Sequence, residues 1–267
     1  MSFSVLAPAE GQVVKQPLSV HYAALGAYSK NFSDIFSATS NQASLAGLKT
    51  TAFAVFGERR FMLNELAAYS AIIATPISSG TFGLQADYFG SSYFNETELG
   101  AMYARKLSAA IDIGGKFNYH MIKVAGYGTA SSVNFEVGAI FHLTEKLHSG
   151  IHVYNPASSK LGKTGAEKLA SVYSFGFGYE ASEKVFLSTE IVKREDQPIA
   201  VNTGFQYNLH PRLFIRSGVS TAGDNSYVSV GLNIGFGRID INTAYHPQLG
   251  FTPGILLLVN FKKAAEE

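Results

Sequence analysis

The chain has no cysteine, no tryptophan, few charges and no long apolar run. Without cysteine there is no disulfide framework, no thiolate metal site, no thiol nucleophile and no lipidated cysteine. Charged residues are only 15% of 267 and nearly cancel, at a net +1, so there is no basic face for a phosphate backbone and nucleic acid is not an expected partner. No stretch reaches the roughly 18 uncharged apolar residues of a membrane helix. Ala7-Pro8-Ala9 has the form of a leader cleavage site, but the apolar run before it is short and no basic residue precedes it. A clipped signal, a mis-set start and a cytosolic chain all suit that beginning. Catalytic signatures are lacking too. There is no G-x-S-x-G elbow, P-loop or H-E-x-x-H, and no Ser/His/Asp set converges on one rim. Neither an enzyme nor a cofactor is expected.

What is abundant is glycine, at 26, together with 20 Phe and 14 Tyr, a composition at home in β-barrels. Period two is the clearest pattern. Val228, Val230, Leu232, Ile234 and Phe236 share one face, and Ser229, Gly231, Asn233 and Gly235 the other. Ile111, Ile113, Gly115, Phe117 and Tyr119 alternate in the same way with Asp112, Gly114, Lys116 and Asn118. Such alternation predicts strands with one apolar face. Fourteen are expected, near 51–57, 66–75, 80–89, 95–105, 108–120, 131–143, 146–154, 168–181, 184–193, 199–208, 211–221, 226–236, 238–246 and 253–262.

A soluble sandwich or soluble barrel is the alternative, with the polar face turned to water. Two features favour an antiparallel, up-and-down transmembrane barrel, an all-β fold. The polar face is rich in glycine (Gly114, Gly138, Gly176, Gly178, Gly204, Gly218, Gly231), which is disfavoured on an open strand face but makes room inside a crowded lumen. Aromatics of the apolar face also sort to the strand ends, with Tyr88, Tyr119 and Tyr245 outermost and Tyr103, Phe141, Tyr179, Tyr207, Phe236 and Phe261 innermost. Two such rings are the girdles of an outer-membrane barrel. The expected location is therefore the bacterial outer membrane, with its lipids as neighbours.

Residues 1–49 lack the alternation and are read as an N-terminal extension. A helix through 34–49, capped by Asn31 or Ser33, is expected to plug the lumen or to form a short periplasmic cap. Residues 50–262 form the barrel and 263–267 a tail.

The stretch ALGAYS at 24–29, then FSDIF, then NQASLAG at 41–47, resembles the N-terminal signature of FadL-type outer-membrane barrels. Asn41 and Ala43 match its Asn-Pro-Ala motif, while Gln42 replaces the proline. With Leu45 they mark the plug. The ending from His246 to Phe261 is similar to PorV-type barrels associated with type IX secretion. Two functions follow from the resemblance. The first is a component or accessory of a secretion assembly, working through contacts with other secretion-system outer-membrane proteins. It is favoured by compact outer loops and a filled lumen. The alternative is a FadL-like channel for hydrophobic small molecules, with a bound fatty acid or lipid.

Three sets of inward residues are candidates. Asp112, Glu136, Glu190 and Arg216 are expected to form an ion-pair network that holds the plug, or to set selectivity. Ile140, Phe186 and Phe214 are candidates to line an apolar pocket. His142, His148 and His152 share the inward face, and three lumen histidines without a metal are the expected reading.

Overall fold

The computed structural model describes residues 28–162, 167–195, 197–222 and 225–261. The Ala7-Pro8-Ala9 motif, residues 24–27 of the N-terminal signature and the tail 263–267 lie outside them. The strands are β1 (Ala52–Arg59), β2 (Ala67–Ile77), β3 (Gly80–Gly90), β4 (Phe94–Lys106), β5 (Ile111–Val124), β6 (Gly128–His142), β7 (Leu147–Tyr154), β8 (Lys160–Leu161), β9 (Glu167–Lys168), β10 (Val172–Glu180), β11 (Val185–Arg194), β12 (Ala200–His210), β13 (Leu213–Ser220), β14 (Asn225–Ile234), β15 (Gly237–His246) and β16 (Gly250–Asn260). β8 and β9 pair apart from the rest. The other fourteen close a barrel, each antiparallel to its neighbours, with β1 pairing β16 from Ala52↔Asn260 to Glu58↔Gly254.

All fourteen expected strands are present in the expected order. One boundary differs instructively. β16 begins at Gly250, ahead of Pro253, where the expected strand starts. β1 pairs no further along β16 than Gly254, so the N–H that Pro253 lacks has no partner on that side to leave unmet.

Burial is inverted relative to a soluble protein. Asp112, Lys116, Glu136, Glu190, Arg216 and Asp240 are buried, while Leu84, Phe117, Val230, Ile241 and Phe251 are exposed. A water-facing sandwich would do the reverse. Charged residues inside and a largely apolar face outside fit a lipid-embedded barrel. The lumen charges are largely matched: Lys116 Nζ lies 3.1 Å from Glu98 and 3.4 Å from Glu136. Pairing is what makes buried charge tolerable in such a wall.

The segment before β1 is not one helix. Two short 3-10 helices, Ile35–Thr39 and Gln42–Gly47, follow each other. Their caps are Asp34 and Asn41 rather than Asn31 or Ser33. Asp34 Oδ1 accepts from Phe36 N at 2.7 Å, and Asn41 Oδ1 from Ala43 N at 3.0 Å. Asn41 is extended (φ −153°, ψ 113°), which ends the first helix and starts the second.

Candidate functional site

The described N-terminal segment lies inside the barrel, held by polar anchors and one apolar face. Tyr28 donates to Glu190 Oε1 at 2.6 Å. Burial, reinforced by the Glu190 charge, holds the Tyr28 phenol well above its usual range, so it stays a donor. Glu180 Oε1 accepts from Ser29 Oγ (2.8 Å), Lys30 N (2.7 Å) and Asn31 N (3.1 Å), and its Oε2 from Asn31 Nδ2 (2.5 Å). Phe32 stacks on Phe186, with ring centroids 5.3 Å apart. Asp34 lies 2.8 Å from Arg238 and 3.8 Å from Arg216. Asn41 Nδ2 donates to Ile151 O at 3.0 Å and Ala139 O at 3.4 Å. Gln42 Nε2 donates to Glu136 and lies 3.2 Å from His152 Nε2.

Glycine shapes the seat. A Cβ at Gly114 would lie 2.6 Å from Ala43 N, and one at Gly138 would run into the Asn41 carboxamide. At Gly178 it would occupy the place of the Tyr28 carbonyl. The plug threads along a track of lumen positions that have no side chain.

The apolar face of the plug packs to one side. Ile35, Phe36, Ala38 and Leu45 meet Phe56 of β1, Ile72 of β2, Met102 of β4 and Leu256 and Leu258 of β16. Outside this wall runs a groove of about 830 Å³. It is lined by lipid-facing Phe82, Leu84, Tyr103, Phe117 and Phe135 and by lumen-facing Gly83 and Met102. The two meet at Gly83, where a Cβ would stand 3.2 Å from Leu45 Cδ1 and 2.8 Å from Met102 Cγ. One glycine's thickness separates plug from groove.

The sequence candidates are dispersed rather than gathered. Glu190 meets Tyr28, Glu136 meets Gln42, and Arg216 pairs with Asp240 at 3.2 Å. Asp112 meets His142 at 3.0 Å. The three apolar candidates are buried against different partners: Ile140 against Ala43, Phe186 against Phe32, and Phe214 beneath Arg216 (4.6 Å) and Arg238 (5.4 Å). His142 and His148 are 3.0 Å apart, whereas His152 turns to Glu136 at 2.9 Å. No metal-holding cluster of three or more ligands occurs among the described residues.

Two anchors escaped the sequence reading. Glu180 continues the inward phase of Gly176 and Gly178, which was the available signal. Arg238 stood at the very start of the expected strand 238–246; β15 begins at Gly237, which brings Arg238 into the strand on the same face as Asp240.

No protein-family model and no curated protein sequence matches this chain. Solved structures do. CymD, named as a monoaromatic hydrocarbon channel, is similar at 12% identity and a TM-score of 0.67, over 92% of this chain and 97% of its own. A Pseudomonas aeruginosa FadL homologue gives 10% and 0.68, over 91% and 98%. The P. putida toluene transporter TodX gives 10% and 0.62, over 84% and 94%. The expectation of a secretion-assembly component is corrected by these neighbours, FadL-type barrels of which CymD is named as a channel and TodX as a transporter. The PorV-like reading of the last strand is not shown by these neighbours: residues 250–260 are the strand that closes the barrel between β15 and β1. The chain has the fold of the FadL-type barrels and belongs in the bacterial outer membrane.

Proposed function

We propose that this protein is an outer-membrane channel for hydrophobic small molecules, gated by its N-terminal plug. One observation carries the reading: the plug's apolar face and a lipid-side apolar groove meet across Gly83. A channel for polar solutes has no use for an apolar path on both sides of its wall, since its lumen is wet and polar. Here the polar anchors are distributed around the lumen, while the largest cluster of apolar contacts gathers on β1, β2, β4 and β16. Displacing the plug bares that wall. A ligand leaving it finds the groove, and the membrane, one strand away. The similar structures CymD and TodX, named for monoaromatic hydrocarbons and toluene, support this ligand class.

The test is a crystal of the protein soaked in bromobenzene. The expected result is anomalous bromine density against Met102, Gly83 and the groove lined by Phe82 and Phe117. Bromine confined to detergent or disordered lipid, with none along this path, overturns the reading.

A further inference from the structure

One cation stands on the lipid side of the wall. Arg105 is exposed and follows Leu99, Ala101 and Tyr103 along the outward phase of β4. Across the sheet it pairs with Ile113, just as Tyr103 pairs with Gly115. The end of the barrel with the two-residue turn 78–79 is the periplasmic one, because the opposite connections, 60–66 and 155–171 among them, are longer. Arg105 lies at that end. Among the described residues it is the one Asp, Glu, Lys or Arg on the lipid-facing phase in the periplasmic half of any barrel strand; Arg59, Lys123 and Lys193 lie at the other end. Lys106, next in sequence, falls on the lumen phase opposite Asp112. The Arg105 guanidinium makes no ion pair or hydrogen bond among the described residues. A charge on the outer wall of a barrel is tolerated at the level of the lipid headgroups, not in the acyl chains.

Next to Arg105, toward the membrane centre, the wall is hollowed. Ala101 and Gly115 floor the groove of about 830 Å³, between Phe82 and Leu84 of β3 and Phe135 and Val137 of β6. Tyr103 bounds its near end: the hydroxyl donates to Ser79 O at 2.7 Å, and the ring lies 4.8 Å from that of Phe82. A second hollow of about 450 Å³ continues the first toward Leu99 and Tyr119, and the two share Ile73, Leu84, Ala101 and Phe117. From Arg105 back to Leu99 is about 20 Å of strand, or about 15 Å of membrane depth at the usual tilt, which is one leaflet of a roughly 30 Å core. We infer that this trough binds one phospholipid of the inner leaflet, with its phosphate on Arg105 and its acyl chains over Ala101 and Gly115 toward Leu99. The unpartnered guanidinium matches phosphate oxygens, and the trough beside it is apolar and as deep as one acyl chain. Lipid A, whose phosphates lie in the outer leaflet, meets this trough from the wrong end. The site does not depend on the channel reading, since a barrel of any function can carry it.

The chain has no tryptophan, so Phe135→Trp places a single one in the trough wall of the full-length protein. In maltoside micelles, phosphatidylglycerol with dibrominated acyl chains is expected to quench that tryptophan at a roughly 5–10-fold lower mole fraction than diacylglycerol with the same chains, the weight of one basic group at a membrane surface. Arg105→Gln is expected to abolish the difference between the two lipids, and Arg105→Lys to keep most of it. Ala101→Phe, which raises the floor of the trough, is expected to weaken quenching by both. Equal quenching by the two lipids in the parent, or a headgroup preference that survives Arg105→Gln, overturns the inference. So does quenching that Ala101→Phe leaves untouched.

Discussion

Glycine is the residue on which this architecture turns. Gly114, Gly138 and Gly178 stand where a single methyl group would meet the plug. Gly114→Val is expected to push the plug out while leaving the barrel closed, because the clash is with plug backbone rather than with neighbouring strands. Overpacking of this kind costs about 1–3 kcal/mol. The check is cleavage by added protease between residues 28 and 48, with the barrel band unchanged on a gel; a parent-like plug would refute the seat. Glu180 is the matching anchor on the polar side, accepting four hydrogen bonds from Ser29, Lys30 and Asn31. Glu180→Ala leaves those donors without their carboxylate and should loosen the plug by about 1.5–3 kcal/mol. Hydrogen exchange of the Lys30 and Asn31 amides measures it directly. That glycines clear a lumen was legible from their phase along the strands. Which residue fills each gap was not, because pairing Asn41 with Gly138 spans a separation that period two does not encode.

Among the elements, the strands were legible and the plug only partly so. Alternation of apolar and polar residues fixes which face of a strand turns outward, so all fourteen could be placed from sequence. No such repeat governs residues 34–49. There the lumen dictates conformation, and one amphipathic helix becomes two 3-10 turns broken at Asn41, whose side chain reaches the carbonyls of Ala139 and Ile151. The barrel closes by direct pairing of β1 with β16. Deletion of residues 28–48 should therefore leave a folded barrel with raised ion conductance in planar bilayers; a chain that fails to insert would show that the plug is needed for closure. The groove between β2 and β6 gives a separate prediction. Ala101 faces it from β4. Ala101→Phe is expected to slow passage of a hydrophobic ligand and leave protease cleavage between residues 28 and 48 unchanged, which separates the lipid-side path from the gate.

As a whole molecule, the protein is an inside-out barrel, and its stability should respond accordingly. Leu84 projects from the middle of β3 into lipid, 61% exposed. Leu84→Arg is expected to cost about 2–4 kcal/mol in vesicles, read from the urea midpoint; a neutral outcome would argue against a membrane-embedded wall. Length, charge and alternation pointed to this architecture, and the girdle of aromatics pointed to its location. Function was less accessible, since compact outer loops and a filled lumen do not by themselves name what a barrel carries. The difference lies in where the apolar contacts gather within the lumen, which depends on strand neighbours far apart in sequence: Phe56 beside Leu256, and Leu45 beside Gly83.

The central claim is passage of hydrophobic molecules through a plug-gated wall. It is tested most directly by uptake of radiolabelled toluene into intact bacterial cells whose outer membrane carries either this protein or the Ala101→Phe variant. Faster uptake with the parent than with cells lacking it, reduced by the variant, is the predicted result. Uptake that is equal in all three strains would contradict the account.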